Sequence, residues 1–238
     1  MEVAFKPIKS IKVYRQVIEQ IQEMIYTGHL KKGDRLPSER ELRDQLNVSR
    51  ASIREAFSVL EILGLIESRP GEGTFITSSR ENKILEPLSM VLMLEDNLSE
   101  DLLEFRRVLE IDSARLAAER VTETELEEMK KYNDILANSL GHEEISVRAD
   151  RMFHSVIAKS SKNKVLYDVM VAISDAMDYH IEYTRTKLVS ETDTMNNFVQ
   201  QHWRIYEAIK NGQGKEAMRE MENHLDYVEK LVKKKIFD

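Results

Sequence analysis

Residues 38–63 constrain the chain most. Ser38 and Glu41 stand three positions apart in Ser38-Glu39-Arg40-Glu41. At that spacing a serine side chain accepts a first-turn N–H while the glutamate reaches back to the serine's own N–H. A short helix is expected to run from there to about Leu46, with a tight turn at Asn47-Val48. Ser49 then caps a second helix that runs to about Leu63, before Gly64. Two short helices separated by about three residues make a helix-turn-helix. Past Gly64 the pattern changes to strands at 65–69 and 74–77 around the turn Pro70-Gly71-Glu72-Gly73. That hairpin is a wing beside the helix pair.

The flanks complete the architecture. Tyr14, Val17, Ile18, Ile21, Met24 and Ile25 form one apolar stripe, predicting a helix over 12–27 that Gly28 ends. Lys31-Lys32-Gly33-Asp34 reads as a break, and the polar run 78–83 as a linker. Beyond it the sequence predicts helices only, over 84–95, 98–120, 123–140, 144–160, 163–187, 193–211 and 213–234. Only 8 glycines and 4 prolines occur in 238 residues, which suits a mostly helical chain. The expected fold class is mainly α: a winged helix-turn-helix at 1–77, then an antiparallel α-helical bundle at 84–238. The Met and Leu stripe at 88–94 reads as core, and Lys233-Lys234-Lys235 as a solvated tail.

The chain has no cysteine, so disulfides and thiolate chemistry are excluded. No apolar run reaches a membrane span and the N-terminal residues lack a signal-peptide core, so a cytoplasmic protein without a membrane partner is expected. The net charge of −7 is unevenly spread: residues 1–80 carry 13 Lys and Arg against 11 Asp and Glu, the remainder 22 against 31. A nucleic-acid contact therefore belongs in the first third, through local basic clusters. In the second helix of the pair Arg50 and Arg54 lie one turn apart, with Ser49 and Ser52 near its start. The first turn of such a helix approaches base edges in the major groove. Arginine can bond guanine O6 and N7 together, and serine hydroxyls suit phosphate. Arg40 reaches a phosphate or a base from the preceding helix. The bland alternative makes these arginines solvated partners of Glu39, Glu41 and Glu55.

In the acidic part, Asp150 and His154 are i and i+4 on one helix face, while His202 and His224 belong to two later helices. Side chains from facing helices of a bundle can converge on one interior point. One carboxylate and three imidazoles suit zinc, with nickel or manganese as alternatives. The same residues also read as a surface pair and two structural histidines. His29, His142 and His180 have no place in this set, and no general base is visible beside it.

The stretch from Leu30 to Ile76 resembles the winged-helix domain of GntR-type regulators. Gly33-Asp34-Arg35-Leu36-Pro37-Ser38-Glu39-Arg40-Glu41-Leu42, Val48-Ser49-Arg50, Arg54-Glu55-Ala56 and Gly71-Glu72-Gly73-Thr74 carry the likeness. The resemblance implies DNA contacts by Arg40, Arg50 and Arg54, phosphate contacts by Ser49 and Ser52, and a wing-tip glycine, Gly71 or Gly73, in the minor groove. Ala51 departs from relatives with a hydroxyl there, removing one contact. Glu104 to Glu110, Asp150-x-x-Phe153-His154, His202-x-x-Ile205 and Met221-x-x-His224 resemble the C-terminal, FCD-like ligand domain of the FadR branch. That likeness implies a divalent metal on Asp150, His154, His202 and His224. It also implies that Arg106 looks inward, toward an acid effector; its bland alternative is an ion pair with Glu110, four residues on. Gln201 stands where Glu is frequent.

The expected function is a homodimeric regulator, a repressor, that binds a palindromic double-stranded DNA operator and responds to a small carboxylate such as a hydroxy- or keto-acid. Two alternatives are a regulator with an acyl ligand and no metal, and a metal-dependent hydrolase with a DNA-binding appendage.

Overall fold

The computed structural model describes residues 12–78, 86–95, 98–189 and 192–237. It divides into two compact units, Met1–Pro87 and Leu88–Asp238. The linker expected at 78–83 lies outside the described residues after Ser78.

The first unit is a three-helix winged domain. Its helices are α1 (Val13–Tyr26), α2 (Glu39–Leu46) and α3 (Arg50–Ile62), followed by strands β1 (Ile66–Arg69) and β2 (Gly73–Ile76). Both expected caps form. Ser38 Oγ accepts from Glu41 N at 3.3 Å while Ser38 N donates to Glu41 Oε2 at 2.8 Å. Ser49 Oγ accepts from Ser52 N at 3.1 Å. Asn47 ends α2 at φ 52°, the left-handed conformation that turns the chain into Val48-Ser49. Val17, Ile21, Leu42, Ile53, Ala56, Phe57 and Leu60 close one core with Ile66 and Ile76 from the hairpin.

β1 and β2 pair antiparallel, Ile66 opposite Ile76 and Arg69 opposite Gly73. A third segment joins them, which the sequence reading leaves as a break. Leu36 N donates to Thr74 O, and Ile76 N to Asp34 O, both at 2.8 Å. Residues 33–36 thereby cover the free edge of β2, which would otherwise expose unpaired backbone groups.

The second unit is helical among the described residues: α4 (Glu86–Leu94), α5 (Ser99–Arg120), α6 (Glu123–Ala137), α7 (Glu143–Ser160), α8 (Lys164–Val189), α9 (Thr192–Lys210) and α10 (Gly214–Phe237). α5 packs on α7, α8, α9 and α10, and α6 packs on α7 and α9. One core gathers Ala114, Met129, Phe153, Ile157, Ile205, Ile209 and Met221. Another gathers Leu102, Leu136, Ile173, Met177, Phe198 and Val232.

Three expectations are corrected. α6 stops at Ala137, short of 140, because Ser139 Oγ turns back to Leu136 O and meets Ser146 Oγ, diverting the chain into α7. The 88–94 stripe is not all core: Leu88, Met90, Val91 and Leu94 are exposed, and Leu92 alone of the stripe packs against the core. The lysines at 233–235 are helical, with Lys233 Nζ 2.7 Å from Glu229 Oε1 one turn earlier.

Candidate DNA interface and candidate metal centre

Cap geometry and the buried stripe orient α3. Ile53, Ala56, Phe57 and Leu60 face the core, so Arg50 and Arg54 are left on the exposed side. Arg40 is exposed on α2. Ser49 is committed in part to its cap and shares a 2.9 Å hydrogen bond with Ser52 Oγ. Glu39 lies against both of these arginines, 3.2 Å from Arg50 Nε and 3.8 Å from Arg54 Nε. This is the pairing the bland alternative describes, yet all three side chains remain accessible to a partner.

The two wing glycines differ. Gly71 is in the turn at φ 78°, with no atom within 4 Å of where a Cβ would stand. Gly73 opens β2 at φ 118°, and a Cβ there would meet Arg35 Nε at 2.8 Å. Gly71 is thus the accessible tip, and Gly73 is a packing glycine. Arg69, which the sequence reading does not single out, stacks its guanidinium 4.4 Å from the centre of the Phe75 ring.

In the helical unit, the four expected ligands meet. α7 brings Asp150 and His154, α9 brings His202 and α10 brings His224. One donor atom from each lies within 4.8 Å of every other. The three histidines are buried, while the Asp150 side chain keeps 14% of its exposure. His202 Nε2 is 3.3 Å and His154 Nε2 3.8 Å from Asp150 Oδ1. Phe153 stacks on the His202 ring, 4.4 Å between centres and 13° between planes, fixing that ring's tilt.

Two partners outside the quartet hold the other histidines. Gln201 Oε1 lies 2.8 Å from His224 Nδ1. Glu110, buried on α5, contacts His154 Nδ1 with one oxygen and Arg106 Nε with the other. The sequence reading weighs Glu110 only as a partner for Arg106 and finds no acid or base beside the ligands. Helix packing brings this one there, across 44 positions of sequence. Of the two roles open to Arg106, the ion pair with Glu110 is formed.

The donor set fits a divalent ion. Buried polar atoms ordinarily have hydrogen-bond partners. His154 Nε2 and both ring nitrogens of His202 have none, and they are buried. His154 Nδ1 and Glu110 Oε2 lie against each other as an ion-pair contact but are not aligned as a hydrogen bond. Metal–nitrogen and metal–oxygen bonds of about 2.0–2.2 Å put donors no more than about 4.4 Å apart, so a slight contraction would close the quartet. Protonation states agree. Burial pushes His202 below the ordinary histidine range, with Asp150 opposing. Burial, then His202 and His154, hold His224 well below it. Metal ligation requires neutral imidazoles. Burial pushes the Glu110 carboxyl up, but Arg106 and then His154 outweigh it and bring it to about 2.

Residues 13–76 match the family model described as bacterial regulatory proteins, gntR family, and residues 101–227 match the FCD domain. The chain is 36% identical to the HTH-type transcriptional regulator LutR of Bacillus subtilis over 88% of its length and 96% of the relative's. It is 31% identical to the putative L-lactate dehydrogenase operon regulatory protein of Escherichia coli, over 92% of its own length and 86% of that protein's. Among solved structures, Streptococcus agalactiae GntR superposes with a TM-score of 0.64 at 26% identity, covering 90% of this chain and 98% of that one.

Proposed function

Because the chain belongs to the gntR family of bacterial regulatory proteins and carries an FCD domain, we propose that it is a homodimeric repressor whose operator grip is controlled by a small carboxylate at a metal centre. The DNA-binding domain spans 1–77, the linker 78–83, and the effector and dimerisation domain 84–238. Relatives and families alike are transcription regulators, so the activity is regulation through DNA and not catalysis.

At the operator, Arg40, Arg50 and Arg54 contact DNA, with arginine on guanine in the major groove. Ser49 and Ser52 meet phosphate, and Gly71 leads the wing into the minor groove. The exposure of Arg50 and Arg54 opposite the α3 core stripe supports this assignment. Gly73 shares the wing motif but supports the tip from behind, against Arg35. Two symmetry-related heads suit a palindromic operator.

The observation that carries the effector reading is the buried convergence of Asp150, His154, His202 and His224 with unpartnered imidazole nitrogens. These residues would hold zinc, or nickel or manganese in its place. A bound ion supplies a Lewis-acidic anchor for a carboxylate. Arg106 borders the same interior and would add positive charge toward the acid. A relative named for an L-lactate dehydrogenase operon supports a hydroxy acid as the effector class. No observation among the described residues favours the acyl-ligand alternative.

Metal content tests the reading. Mass spectrometry on the purified protein should find near-stoichiometric divalent metal in wild type and a sharp fall in His202→Ala. Carboxylates are then screened for their effect on operator affinity. A wild-type protein that stays empty after chelator-free purification and reloading would overturn the metal–carboxylate reading and leave the DNA assignment standing.

A further inference from the structure

We infer that Glu110 is the positioning residue of the metal centre: it fixes His154 with Nδ1 protonated and presents Nε2 as the ligand atom, while Arg106 anchors Glu110. The inference rests on the metal reading above and adds to it a residue from a fourth helix, which donates no ligand.

The geometry points one way. His154 has two ring nitrogens, and only one can face the quartet. Nε2 is the nitrogen near Asp150 Oδ1, at 3.8 Å. Nδ1 is turned away, onto the Glu110 carboxylate. An ionised carboxylate accepts hydrogen bonds and donates none, so the ring must carry its proton on Nδ1. The lone pair is then on Nε2, toward Asp150, His202 and His224. A histidine that donates its second N–H to a carboxylate is oriented and made more basic as a ligand.

Arg106 makes this arrangement tenable. A buried carboxylate without a cation would be severely destabilised. The Arg106 Nε–H points at the other Glu110 oxygen, one helical turn earlier on α5. The Glu110 side chain has 2% of its exposure and Arg106 7%, so solvent screens neither. The three side chains form a line from α5 to α7 that ends at the ligand atom. His224 is supported differently, by the neutral amide of Gln201. The carboxylate therefore sets the α7 side of the centre apart from the α10 side.

The test is metal affinity by chelator competition, paired with nitrogen-15 NMR of the histidine rings in zinc-loaded protein. Wild type should show His154 bound through Nε2 with Nδ1 protonated. Glu110→Gln should weaken zinc binding about 10–100-fold. That variant removes the negative charge beside a buried guanidinium and can lose its fold, so Arg106→Gln/Glu110→Gln, which removes both charges, is measured beside it. It should show the same loss of affinity with helical content retained. Glu110→Asp should recover part of the affinity only if its shorter carboxylate reaches Nδ1, read from the same ring signals. Zinc affinity within twofold of wild type in the folded double variant, or coordination of His154 through Nδ1, overturns the inference. A wild-type protein that binds no metal instead overturns the reading beneath it, and the two failures are distinct.

Discussion

Glu39 sits against Arg50 and Arg54, the arginines proposed to read DNA, with its own side chain only about one-third exposed. A carboxylate there opposes phosphate while holding both guanidinium groups in place. Glu39→Gln should therefore tighten binding to unrelated duplex more than to operator, narrowing the ratio between them. Titrating both DNAs at one salt concentration measures it, and an unchanged ratio would show that Glu39 is a bystander. Arg50→Ala should weaken operator binding by about 1–3 kcal/mol and relax preference at one base position, the scale of a bidentate arginine–guanine contact. At this scale the sequence was legible wherever spacing is local. Asp150 and His154 share a helix face by count alone, and Ser38 with Glu41 declare a cap. Glu110 was not legible as a partner of His154. The 43 intervening residues include all of α6, and only the packing of α5 against α7 joins them. Gln201 stood out as a departure, but which histidine it serves depends on how α9 meets α10.

At the scale of elements, capping explains where α2, α3 and α6 begin and why α6 is sensitive to acid. Thr122 and Glu125 form the capping box of α6, Glu125 N donating to Thr122 Oγ1 at 3.4 Å and Thr122 N to Glu125 Oε2 at 3.0 Å. Lys162 Nζ, just past α7, lies 2.6 Å from Glu125 Oε1. Burial pushes this carboxyl up, but Lys162 and Thr122 outweigh it and leave it below its ordinary 4.5. A depressed folded-state pKa stabilises the fold above the unfolded value, and that stability is lost as pH falls through the folded one. The melting temperature of wild type should therefore exceed that of Glu125→Gln at pH 7, and the gap should close below pH 4.5. A gap that widens on acidification would contradict the assignment. Thr122→Ala should cost about 1 kcal/mol in denaturant unfolding. The starts of α2 and α3 were well marked because caps are local chemistry. The edge segment at 33–36 was missed because its bonds go to Thr74 and Ile76, some forty residues away. The stripe on α4 misled for the opposite reason: its periodicity is real, but helical spacing does not say whether a neighbour exists to cover it.

The whole molecule carries two hydrophobic cores in the helical unit and a separate core in the winged unit, and among the described residues the metal candidates lie in the helical unit. Ligation stabilises only the unit that binds. Zinc at about 100 times its dissociation constant should add about 2.7 kcal/mol to the helical unit. Calorimetry should show the helical transition move up and the winged-domain transition stay, and chelator should reverse the shift. Equal movement of both transitions would contradict confinement of the site. No described helix is long and apolar enough to cross a membrane.

Gln201 and His202 are consecutive on α9, one holding the ring of His224 and the other offering a ligand itself. Two of the four corners therefore answer to a single turn of helix. An acid in place of that amide would set a new charge beside the buried His224 ring.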